Sequence, residues 1–75
     1  MPTMHRGNGF KIKMYFKDHS PPHVHVEHAD DEALVAIADG AVLEGVVPAR
    51  VLDEAKQWIA ANREMLNHTW TRFQE

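Results

Sequence analysis

Phe10-Lys11-Ile12-Lys13-Met14-Tyr15-Phe16-Lys17-Asp18-His19-Ser20-Pro21-Pro22-His23-Val24-His25-Val26-Glu27-His28 decides how the chain folds. Its first half alternates. Phe10, Ile12, Met14 and Phe16 fall on one side, and Lys11, Lys13, Tyr15 and Lys17 on the other. A period of two with β-forming residues predicts a half-buried strand over residues 10–17. Pro21 and Pro22 lack backbone donors and push the residues before them toward extended geometry, so the strand stops before them. Both X–Pro bonds are expected trans, the commoner form. Alternation resumes over residues 23–28, with Val24 and Val26 on one face and His23, His25 and Glu27 on the other. Two antiparallel strands joined by a stiff loop are therefore expected.

Matching the apolar faces sets a register. Pairing positions whose numbers sum to 40 puts Phe16 opposite Val24 and Met14 opposite Val26. Tyr15 then faces His25, Lys13 faces Glu27 and Lys17 faces His23. Facing Cβ atoms lie about 5 Å apart, so these polar residues become neighbours. The histidines are expected on the sheet face away from the helices, open to a ligand.

Before this stretch, residues 1–9 show no periodicity; Pro2 keeps the terminus extended and Gly7-Asn8-Gly9 reads as a turn. After it, Ala29-Asp30-Asp31 is a turn and residues 32–38 a third strand. Asp39-Gly40 signals a tight turn into a short strand over 41–44, ended by Gly45. Pro48 opens a helix over 48–61 with an apolar stripe of Val51, Leu52, Ala55, Trp58 and Ile59. The stripe runs on through Met65, Leu66, Trp70 and Phe73, over 63–73. Asn62 either caps a second helix or lies within one long one, and two segments with a break there are favoured. Trp58 and Trp70 read as core. The expected class is α+β, one domain over residues 1–75: an antiparallel three- to four-stranded meander followed by one kinked or two consecutive C-terminal helices packed on one sheet face.

Composition narrows the function. Eight basic against eleven acidic residues give a net charge of −3, which argues against holding duplex nucleic acid through bulk charge. Arg6, Lys11, Lys13 and Lys17 still make a local basic stretch. There is no cysteine, so neither disulfides nor thiolate ligands are available. No secretory leader and no membrane-length apolar run is read, and the expected location is cytoplasmic.

His23 and His25 carry the chemistry. Residues i and i+2 of a strand sit about 7 Å apart on one side, close enough to share an ion or a phosphate. Asp18 and His19 in the adjoining loop can complete a site for a divalent transition metal, with Glu27 as a further oxygen donor. An acid–base reading competes. His23, His25, His19, Asp18 and Tyr15 would act on a phosphodiester, Lys13 and Lys17 would steady its charge, and Tyr15 would stack on an RNA base. An unliganded polar strand face competes with both.

Several of these residues also carry a family resemblance. Met1-Pro2-Thr3, the run Met14 to Val26, Gly45 with Pro48 and Arg50, and Trp58 followed by Arg63-Glu64 resemble a bacterial family of short proteins called domain of unknown function 4160. The matching motif residues are Tyr15, Asp18, His19, Pro21, Pro22, His23 and His25. The resemblance implies a small bacterial cytosolic protein, a toxin–antitoxin component paired with a small cognate protein from a neighbouring gene. Members often carry histidine where this chain has Asn62. Three expectations follow. The first is a toxin-like component acting on RNA through the histidine patch, as a metal-independent or metal-assisted ribonuclease. The second is a non-catalytic protein-binding module, an adaptor or antitoxin-side partner, with a homodimer as one form. The third is a small metal-binding domain using the same histidines.

Overall fold

The computed structural model describes residues 3–75; Met1 and the extended terminus expected at Pro2 lie outside the described residues. Five strands form one antiparallel sheet in sequence order: β1 (Thr3–Arg6), β2 (Lys11–Lys13), β3 (His23–His28), β4 (Asp31–Ala36) and β5 (Val42–Val46). Two helices follow, α1 (Ala49–Ala61) and α2 (Arg63–Phe73). The α+β class is as expected, with one strand more than the upper expectation of four. The addition is β1, which pairs with β2. Its Thr-Met-His-Arg sequence is half-buried along most of its length and so carries no alternation to read.

The core lies where the alternation placed it. Ile12, Met14, Val24, Val26, Ala33 and Val35 pack with Val51, Ala55 and Ile59 of α1 and with Leu66 and Trp70 of α2. Shielding these side chains from water is the main favourable term for so short a chain.

The first hairpin differs from expectation. Ile12 pairs with Val26, Lys13 with His25 and Lys11 with Glu27. The paired numbers therefore sum to 38 (12 + 26) rather than 40. A slip of two keeps every side chain on its own face, which is why the core survives while each polar neighbour moves along by two. The strand expected over 10–17 is correspondingly short. It ends at Lys13, and the chain turns at Lys17, whose φ is +53°. The Lys17 N–H donates to the Phe73 carbonyl at 2.9 Å. Phe16, expected in the core, is 61% exposed and packs on the Phe73 ring instead. The Ser20–Pro21 bond is cis, where trans was expected.

β3 and β4 are joined by the two-residue turn Ala29-Asp30, so His28 pairs with Asp31 and His23 with Ala36. β4 thus begins one residue earlier than expected and stops at Ala36. The chain then turns through Asp39-Gly40, as the sequence predicts. Gly40 has φ +75°, and Asp39 Oδ1 accepts the Ala41 N–H at 3.0 Å. β5 runs past Gly45, which was expected to end it. Gly45 has φ +83°, and a Cβ there would collide with the Glu32 carbonyl of the neighbouring strand. Glycine is what lets the two backbones approach.

The break between the helices falls at Asn62, as expected, with φ −122°. Its side chain donates back to the Trp58 carbonyl at 2.9 Å. It thereby satisfies one of the last carbonyls of α1 rather than capping the start of α2. Pro48 sits just before the first turn of α1, not within it.

Candidate metal centre

After Lys13 the chain leaves the sheet and arcs over the polar face of β3, bringing Asp18 above His23 and His25. Both histidines are enclosed, at 2% and 8% exposure. The expectation of an open histidine face is therefore overturned. The histidines do point away from the Val24–Val26 side of the strand. The loop covers them, however, and Trp70 of α2 reaches round to pack on His23, with ring centroids 5.3 Å apart.

One carboxylate oxygen organises the cluster. Asp18 Oδ2 lies 3.0 Å from His23 Nε2 and 3.0 Å from His25 Nε2. The three ligand atoms all fall within 4.8 Å of one another. The far side of each ring is also held. His23 Nδ1 donates to the Pro21 carbonyl at 2.8 Å, and His25 Nδ1 donates to Glu32 Oε2 at 3.1 Å. A carbonyl and an ionised carboxylate only accept, so both Nδ1 atoms carry protons and both Nε2 atoms are turned toward Asp18. For His23 this leaves a fully enclosed Nε2 with no hydrogen-bond partner among the described residues, facing a carboxylate oxygen. Two lone pairs in that position repel unless a proton or a cation lies between them. Burial works against the Asp18 carboxylate. With a proton on Nε2 in the place a cation would take, a hydrogen bond from His25, one from the His19 N–H and the positive charge of the two protonated rings outweigh burial and hold the Asp18 pKa below the usual value.

The other candidate residues sit around this centre. His19 is 86% exposed, its N–H donating to Asp18 Oδ1 at 2.9 Å and its Nδ1 3.1 Å from the same oxygen. It touches the outer side of the carboxylate and does not join the inner group. Tyr15 was expected opposite His25, a position that Lys13 takes. Its ring nonetheless stacks on His25, at 4.3 Å, because the loop doubles back over the strand. The Tyr15 hydroxyl donates to Glu27 Oε2 at 3.3 Å. Burial first, and then the Glu27 charge, push the Tyr15 pKa up. Lys13 is paired with Glu27 at 3.1 Å, and Lys17 lies exposed on the turn. Lys17 is not opposite His23, since β2 has ended before it.

Sequence reasoning missed Glu32, the Pro21 carbonyl and Trp70. Glu32 was within reach. A two-residue turn at Ala29-Asp30 pairs Glu27 with Glu32, which puts Glu32 on the histidine face. Counting Asp31 into the turn concealed this.

A cleft of about 180 Å³ adjoins the cluster, lined by His19, Ser20, Pro21, His23, Leu34, Leu43 and Glu44. None of these residues is a lysine or arginine, so the cleft offers no fixed cation to a phosphate.

Fold and site together define a small α+β domain that gathers two imidazoles and one carboxylate beneath a proline-stiffened loop. The chain belongs to the family described as Domain of unknown function (DUF4160), whose model matches residues 9–71 and so spans the whole cluster. No curated protein and no solved structure matches the chain.

Proposed function

We propose that the chain is a small metal-binding domain in which Asp18, His23 and His25 hold one divalent transition-metal ion. The observation that carries this is the inward convergence of three ligand atoms on rings whose outer nitrogens are already engaged. Protein metal sites have this organisation: the ligating imidazole donates its other N–H to a carbonyl or carboxylate, which fixes tautomer and orientation. Pro21 and Glu32 do so here. A divalent ion between the three atoms would satisfy the enclosed His23 Nε2 and offset the Asp18 charge together. Two imidazoles and a carboxylate suit Zn(II) and its first-row neighbours, and three protein ligands leave a coordination position for water or a substrate.

Action on RNA is the less well supported reading. It calls for reachable histidines and free cations beside them. His23 and His25 are enclosed, and Lys13 is committed to Glu27.

Elemental analysis of protein purified without a histidine tag tests the proposal. About one equivalent of a transition metal is expected, retained through dialysis and lost on replacing His23 and His25 together by alanine. Less than about one-tenth of an equivalent, with none taken up on adding Zn(II), would leave a purely proton-linked network.

A further inference from the structure

The end of α2 is tied at three points to the residues around the proposed ligands. The Trp70 ring packs on His23 at 5.3 Å. The Phe73 ring packs on Phe16 at 4.2 Å. The Phe73 carbonyl accepts the N–H of Lys17, the residue directly before Asp18, at 2.9 Å. That carbonyl is among the last four of the helix, which have no partner within it. Lys17 has φ +53°, a conformation uncommon for non-glycine residues. The bond to Phe73 is a tether at that residue. The turn at Lys17 aims Asp18 back over the sheet, so the tether acts on the direction in which the carboxylate points. α2 itself is short, at 11 residues, and buries only Leu66 and Trp70 among its side chains. A helix of that length is marginal alone and depends on its docking. Short docked elements with few buried side chains lie toward the low end of local stability in a fold.

We infer that the last turn of α2 is a latch on the metal site. Phe73 and Trp70 are positioning residues that hold Asp18 and His23 in ligating geometry. Occupancy of the site holds the latch down in return, because coupling between two equilibria is reciprocal. Anything that pulls the end of α2 away would release the ion. The inference rests on the metal reading of the previous section.

Its test uses full-length protein and Co(II), whose visible absorption reports a bound ion. Phe73→Ala is expected to weaken Co(II) binding about tenfold, a typical size for such coupling. Phe73→Leu, which restores an apolar contact, should recover affinity to within about twofold. Circular dichroism confirms that each variant is folded at the titration temperature. A second measurement needs no variant. Exchange of the Lys17 amide hydrogen, which is bonded to Phe73, should slow at least about fivefold in wild-type protein when Co(II) saturates the site. Wild-type protein that binds Co(II) while Phe73→Ala binds equally well, or while Lys17 exchange ignores the ion, overturns the latch and leaves the metal reading standing. Wild-type protein that binds no Co(II) overturns both.

Discussion

Asp18→Asn is expected to lower metal affinity by at least about 100-fold, beyond the 10–100-fold typical of changes outside the ligand set. The amide keeps the size of the carboxylate and can still meet one imidazole, so the fold should persist. What it lacks is the negative charge that both Nε2 atoms face at 3.0 Å. The same variant should change the response to acid. Asp18 has a folded pKa below its ordinary 3.8, so its contribution to stability is present above that value and is lost as pH falls through the lower, folded one. Wild-type protein should therefore lose stability more steeply than Asp18→Asn as the pH falls below about 4. Isothermal titration with Zn(II) measures the first effect, and urea unfolding across about pH 2–5 measures the second. An unchanged Zn(II) affinity would remove Asp18 from the ligand set.

Leu66→Ala should cost about 2–5 kcal/mol, the range for deleting a fully buried leucine side chain. Leu66 is at 0% exposure on the inner face of α2, against the shared core. A chain of this size commands roughly 4–11 kcal/mol in total. The substitution therefore removes a large fraction of stability and should lower the thermal midpoint by about 10–30 °C. Met65, its neighbour, is 43% exposed, and Met65→Ala should shift the midpoint by no more than a few degrees. Similar midpoints for the two variants would mean that α2 does not dock through Leu66 in solution.

The fold was legible wherever one face of an element meets the core. Val24 and Val26, and the helical stripe from Val51 to Ile59, declared themselves by period, because burial on one side forces a period. β1 stayed hidden because it is half-buried with no apolar face to repeat. The hairpin register failed for a related reason. Phe16 continues the apolar alternation, and nothing local says that Lys17 will adopt φ +53° because a helix carbonyl 56 residues later (73 − 17) holds its N–H. Asp18, His23 and His25 could be named from density and spacing, and the structure gathers all three. Their enclosure could not be, because it comes from a loop path and from Trp70, both set by tertiary packing. His19 and Lys17 share the loop with Asp18, yet only Asp18 is turned inward.

Long-range proton–nitrogen NMR of the histidine rings reads each ring nitrogen separately, and so reads the proposed ligand atoms themselves. With Zn(II) added, His23 and His25 should both show protonated Nδ1 and metal-bound Nε2, while His5, His28 and His68 stay unchanged. Nε2 signals of His23 and His25 that do not move with Zn(II), in folded protein at neutral pH, would mean that the two histidines hold no metal.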